Sequence, residues 1–157
     1  MTMNKSLQGP LQGLGHIEGK THILPISVYY EDTDLSGVVY HANYLRYMER
    51  GRTEFFRLAG ISKMAGLEEE EPTAWAIRSA AIQYHRPARL DDLITVHTSL
   101  TDLSGARMKA LQLVKCGATL LVEGRIEACI TTLTGKPRRL PKIVLQTLAP
   151  FLVADET

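Results

Sequence analysis

From Tyr29 to Tyr44 the chain reads Tyr-Tyr-Glu-Asp-Thr-Asp-Leu-Ser-Gly-Val-Val-Tyr-His-Ala-Asn-Tyr, a run dense in groups that can do chemistry. Asp34 and His41 flank Gly37, and glycine permits the sharp turn that would bring a carboxylate and an imidazole to one side. With an ordinary pKa of about 3.9, Asp34 is ionised at neutral pH. It can then attack a carbonyl as a nucleophile or act as a base towards water. His41, with an unperturbed pKa of about 6.5, is mostly neutral and can orient a carbonyl or a water. A helix starting just after His41 would add unpaired backbone N–H groups, a receptor for developing negative charge. These parts together suit hydrolysis of an acyl group. Asp and Ser in a turn also serve purely local hydrogen bonding, so the pattern alone leaves that reading open. Metal binding is poorly supported, because Asp32, Asp34 and His41 have no second histidine at ligand spacing. Ser36-Gly37 lies outside any GxSxG elbow, which argues against serine hydrolase chemistry.

The elements around this run are legible from their periods. Ile26, Val28 and Tyr30 alternate with Ser27, Tyr29 and Glu31, as a half-buried strand does. Residues 32–37 form the turn that ends it. Tyr44, Tyr47, Met48, Gly51, Phe55, Leu58 and Ala59 then recur at three- and four-residue steps and predict one buried helix face. Asn43 is a plausible N-cap and Gly60 the C-terminal stop, while Gly51 lets the helix approach a packed surface. The acidic run ending in Glu71-Pro72 predicts a solvated loop. Strands follow at about 73–86, 92–102, 106–116 and 118–133, with Ser104-Gly105 and Gly117 as hairpin turns and residues 86–92 as the first connection. Trp75 and Ile77 read as core, and His85 and His97 as strand surface. The basic, proline-punctuated stretch at Lys136-Pro137-Arg138-Arg139 reads as a loop. One strand, one long helix and four long strands predict an antiparallel sheet curled around a central helix. The other sheet face, with Thr95, His97 and Ser99, is either solvated or meets another subunit.

A chain of 157 residues fits a single domain. Expected boundaries are a flexible arm over residues 1–22, the domain over 23–145 and a C-terminal tail over 146–157. A net charge of +1, from 18 basic and 17 acidic residues, argues against a nucleic-acid-binding surface. The first twenty residues lack the apolar core of a secretory signal, and no run approaches the roughly 20 apolar residues that span a bilayer. Cys116 and Cys129 have no metal-site spacing, and a reduced, cytoplasmic chain is expected.

The run VYYEDTDLSGVVYHANYLRYMERGRTEFFR strongly resembles the tol–pal-associated (YbgC-type) hotdog-fold acyl-CoA thioesterases, within the 4-hydroxybenzoyl-CoA thioesterase group. The later stretches IQYHRPARLDDLITVHT and KPRRLP resemble the same family, so the likeness spans about residues 24–142. It implies an α+β hotdog fold, a five-stranded antiparallel sheet wrapped around one long helix. It also implies homo-oligomers, commonly a dimer of dimers, with active sites at subunit interfaces. By the family motif Asp34 is the catalytic carboxylate, and Tyr30 and His41 fall on active-site positions. For Tyr30, core packing beside Ile26 and Val28 is an equal alternative. Leu35-Ser36 stands where relatives often carry small residues, which bears on the acyl pocket. Arg86, Arg89, Arg138 and Arg139 are candidate partners for the coenzyme A phosphates, each also readable as a solvated surface charge. The resemblance implies no metal or redox cofactor, with coenzyme A entering as part of the substrate. Acyl carrier protein as carrier, or a non-catalytic acyl-binding scaffold at the cell envelope, are the competing readings. A dehydratase of the same fold lacks its His/Glu pairing here.

Overall fold

The computed structural model describes residues 15–61 and 70–154. Strands β1 (His16–Glu18) and β2 (Thr21–Ser27) precede helix α1 (Asn43–Ala59). They are followed by β3 (Thr73–Tyr84), β4 (Leu93–Ser104), β5 (Arg107–Cys116), β6 (Thr119–Thr132), β7 (Pro137–Arg138) and helix α2 (Lys142–Leu148). The strands form one antiparallel sheet in the order β1-β2-β4-β5-β6-β3, with the short β7 added to β6. The five expected strands are its body, and α1 carries the chain from the β2 side to the far edge, where β3 pairs with β6. Gly105 and Gly117, each at φ 58°, make the two hairpin turns.

Alternation decides which face packs on the helix. Ile94, Val96, Thr98 and Leu100 of β4 are buried, while Thr95, His97 and Ser99 lie half-buried on the opposite face. Helix α1 buries Tyr44, Tyr47, Met48, Gly51, Phe55 and Phe56. Leu58, expected in that stripe, stays 37% exposed, and Phe56 packs instead against Trp75 at 5.8 Å between ring centres. A Cβ on Gly51 would lie 2.9 Å from Val96 Cγ1 and 3.0 Å from Thr98 Oγ1, so glycine is what lets the helix seat this closely. At that contact the buried Gln112 amide donates to Met48 O (2.8 Å) and Thr98 Oγ1 (2.9 Å), and Arg52 Nη1 donates to Gln112 Oε1 (2.8 Å). This polar latch separates two apolar clusters. One, around Tyr44, Tyr47, Met48, Val96 and Val122, underlies the start of α1. The other, around Phe55, Phe56, Leu100, Met108 and Leu148, underlies its end. Gly60, at φ 116°, closes the helix by donating to Phe56 O and Arg57 O.

Several expectations are corrected. The first long strand ends at Ser27, and Tyr30 belongs to a 3-10 turn: Val28 N–H still bonds Asp92 O at 2.9 Å, but Asp92 N–H turns away to Arg89 O at 3.1 Å and the ladder stops. Asn43 is not a cap: Ala42 holds that position with no side-chain capping bond, and Asn43 opens the helix proper. Ile77 is 51% exposed, since β3 is an edge strand that bulges between Ile77 and Ser79. Trp75 is half-buried against the second cluster. Pairing begins at His16, inside the stretch expected as an arm, while residues 1–14 lie outside those described. The expected tail includes the end of α2 and a 3-10 turn, where Leu148 is buried and Phe151 meets Phe55 edge-on at 5.4 Å. The basic stretch read as a loop contributes β7. Of the acidic run, Glu70 and Glu71 are exposed and the rest lies outside the described residues.

Candidate active site

The carboxylate sits at the tip of a small hairpin laid across the start of α1. Thr33 pairs with Val39, and Asp34 N–H donates to Val38 O at 2.9 Å. Gly37 turns the chain at φ 78° and donates to Asp34 O at 3.1 Å. Val38 bridges to Arg89, and Val39 N–H donates to Ala88 O at 2.8 Å, so the hairpin is fixed to the β3–β4 connection. Asp34 is exposed, and its Oδ1 accepts the Ser36 hydroxyl at 2.5 Å and the Ser36 N–H at 2.8 Å. The Ser36 hydroxyl above all, then its N–H, holds the Asp34 carboxyl below the usual aspartate range. Asp34 is therefore an anion at neutral pH.

Asp32 organises the junction from turn to helix. Its carbonyl accepts Tyr40 N–H (2.9 Å) and Asn43 Nδ2 (2.8 Å), and its carboxylate accepts Tyr29 N–H (2.8 Å). These bonds place His41 and Ala42 at the mouth of α1. Neither backbone N–H has an acceptor among the described residues. The imidazole of His41 is exposed and tilted against Tyr40, ring centres 4.5 Å apart. Tyr84, from the end of β3, donates its hydroxyl to His41 O at 3.0 Å. Asp32, Ser36, Asn43 and Tyr84 all shape this site; in sequence Asp32 was weighed as a metal ligand, Ser36 as a nucleophile and Asn43 as a cap, and Tyr84 not at all. The Asp and Ser residues of the turn hinted at local hydrogen bonding, and nothing in sequence announces Tyr84.

Tyr30 stands at the same end of the molecule but is 83% exposed, so the core-packing alternative does not hold within one chain. Tyr29, Leu35 and Tyr40 are exposed beside it, an unusual density of apolar surface around a carboxylate. The four arginines divide. Arg86 and Arg89 are exposed on the connection beside the hairpin. Arg138 and the exposed Arg139 lie at the other end of the sheet, where β7 pairs with Ile130 and Thr131 while Tyr84 pairs with Val122. Eight residues of strand put the two pairs about 26 Å apart. Arg138 is ion-paired with Glu71. Between α1 and β3, towards that second end, a cavity of about 350 Å³ is walled by Phe56, Trp75, Ile77 and Met108, with Glu49 and Arg52 on its rim.

Residues 28–148 match the family model described as the Thioesterase-like superfamily. The chain belongs to that superfamily. Among its relatives in the superfamily, the Acyl-CoA thioester hydrolase YbgC of Escherichia coli O6:H1 (strain CFT073) is 41% identical over 123 residues, 77% of this chain and 90% of the relative. The Acyl-CoA thioesterase YbgC of Haemophilus influenzae is 39% identical over 76% of this chain and 88% of its own length. A solved structure described as a Probable Thioesterase from Bartonella henselae superposes with a TM-score of 0.73 at 43% identity, over 78% of this chain and 98% of that one. The 1,4-dihydroxy-2-naphthoyl-CoA thioesterase Slr0204 from Synechocystis, at 22% identity and a TM-score of 0.74, shares the fold over 82% of this chain and 96% of its own. The superfamily match takes in the whole hairpin, both arginine pairs and β3.

Proposed function

We propose that the protein hydrolyses acyl-CoA thioesters to free acid and coenzyme A, with Asp34 as the reacting carboxylate. The observation that carries this reading is the pairing of an exposed, ionised Asp34 with two acceptor-free N–H groups, His41 and Ala42, at the mouth of α1. Both Ser36 bonds fall on Oδ1, which leaves Oδ2 for the chemistry. As nucleophile, Oδ2 attacks the thioester carbon, the C–S bond breaks with the thiolate taking up a proton, and water then opens the mixed anhydride. As base, the same oxygen takes a proton from the water that attacks, and the C–S bond then breaks with a proton passing to the leaving thiolate. Either way charge builds on the carbonyl oxygen, and a donor aimed there is worth ~10²–10³ in rate. The His41 ring orients the carbonyl or the water, and Tyr30 lines the approach. No metal or redox cofactor enters these steps. The relatives named for acyl-CoA hydrolysis support coenzyme A as the carrier. An acyl carrier protein would present the same thioester. A cytoplasmic setting suits both acyl-CoA and the free thiols of Cys116 and Cys129.

The working unit in this reading is a homo-oligomer. β3 is a twelve-residue edge strand, exposed from Ile77 to Ala81, and proteins rarely leave such an edge open. Two copies pairing antiparallel along β3 bring the Thr73 end of one beside the Tyr84 end of the other. Arg138, Arg139 and the apolar cavity of one copy then lie near Asp34 of its neighbour. This accounts for arginines that stand apart in a single chain, and for an acyl cavity set away from the carboxylate. Dimers pair further into a dimer of dimers. Light scattering at micromolar concentration reads a multiple of the 17.5 kDa chain, and a monomer mass contradicts this part.

Thiol release from short, long and aromatic acyl-CoAs, by the wild type and by Asp34→Asn, tests the function. The wild type turns over at least one class and the variant none. An inactive wild type on every acyl-CoA, but active on acyl carrier protein, selects the second carrier. Inactivity on both leaves the acyl-binding scaffold.

A further inference from the structure

The two N–H groups at the mouth of α1 belong to consecutive peptide units, and each unit is held by its carbonyl. In a trans peptide the C=O and N–H lie in one plane and point in opposite directions, so fixing the oxygen aims the hydrogen. The first unit carries Tyr40 O and His41 N–H, and Asn43 N–H pins that oxygen at 2.9 Å. The second carries His41 O and Ala42 N–H. The helix supplies no donor to His41 O, because Leu45 N–H, four residues on, goes to Ala42 O at 3.2 Å. The donor comes instead from 43 residues away, the Tyr84 hydroxyl at 3.0 Å.

Tyr84 is itself well located. Its ring meets Tyr44 at 5.7 Å and His41 at 6.3 Å, both near edge-on, and buried Tyr44 is anchored through its hydroxyl, which accepts Ala88 N–H at 3.0 Å. Yet Tyr84 is 50% exposed in the single chain, so packing in its own core is a small part of what it does. A hydrogen bond onto a peptide carbonyl also polarises the unit and strengthens its N–H as a donor, by about 10–30%.

Building on the proposed hydrolysis, we propose that Tyr84 is a positioning residue for it: its hydroxyl holds the His41 carbonyl so that Ala42 N–H faces the oxyanion. The competing role is a plain tether between β3 and α1. Tyr84→Phe keeps the ring and removes the hydroxyl. With an acyl-CoA that the wild type hydrolyses, kcat should fall about tenfold, less than the ~10²–10³ lost with an oxyanion donor itself. KM and the melting temperature should stay close to wild type, and the Ala42 amide resonance should move. Unchanged kcat overturns the inference, as does a fall that only tracks the loss of folded protein. Asp34→Asn measured alongside separates the two levels. An inactive Asp34→Asn beside an unaffected Tyr84→Phe removes the Tyr84 role alone, whereas an active Asp34→Asn removes the proposed chemistry beneath it.

Discussion

The two ends of α1 are built to opposite rules. At the C-terminal end Gly60 satisfies the last carbonyls, and Phe55, Phe56, Leu100, Met108 and Leu148 close an apolar cluster over it. At the N-terminal end Ala42 supplies no side-chain cap, the adjoining N–H groups lack acceptors among the described residues, and an ionised aspartate stands in solvent at the tip of the adjoining hairpin. A Ser or Asp at the cap would stabilise this helix by roughly 0.5–2 kcal/mol. Leaving the N–H groups open forgoes that stability, and in the proposed mechanism it keeps donors for the oxyanion. Under the proposed hydrolysis, stability and chemistry are separated in one helix, with the Gln112–Thr98–Arg52 latch between them.

That separation can be broken from the stable end first. Phe55→Ala empties a fully buried ring site, and such truncations cost about 3–5 kcal/mol. Denaturant unfolding should show a loss of that size, while turnover per folded molecule stays near wild type. A large fall in turnover per folded molecule would mean that the two ends are coupled.

A smaller effect sharpens the other end. Ser36 holds the Asp34 carboxyl below its ordinary pKa, its hydroxyl contributing most. Ser36→Ala removes that hydroxyl, so the pKa rises towards the ordinary value and less Asp34 is ionised in mild acid. The acid limb of the pH–rate profile should therefore move to higher pH, with turnover at neutral pH little changed. An unmoved limb would show that another group sets it.

How much of this was legible in sequence follows from the range of the forces involved. The hairpins at Gly105 and Gly117, the face of α1 and the stop at Gly60 rest on local period and glycine φ, and apart from Phe56 taking the buried place expected for Leu58 they stand where they were expected. The expected helix and sheet were also enough to specify the fold. Boundaries decided by distant partners were harder. β1 is three residues long and exists because Ile23 and its neighbours pair with it. α2 was hidden behind Pro141 and is held by packing against the far end of α1. Ile77 looks like core by composition and is exposed because its strand falls at the edge. At the site, the Asp34 turn was visible as a motif. Tyr84 was not, since its hydroxyl acts on a single backbone carbonyl across the fold.

The central claim is that the Asp34 carboxylate performs thioester hydrolysis at the open mouth of α1. Single-turnover thiol release by purified Asp34→Asn, on an acyl-CoA that the wild type hydrolyses, tests it most directly. Asparagine keeps the shape and can still accept from Ser36, but it can neither attack nor take a proton. The account predicts a melting temperature near wild type and a fall in rate of at least ~10³-fold, the scale of losing a principal catalytic group. Release at near-wild-type rate from a folded Asp34→Asn protein would contradict it.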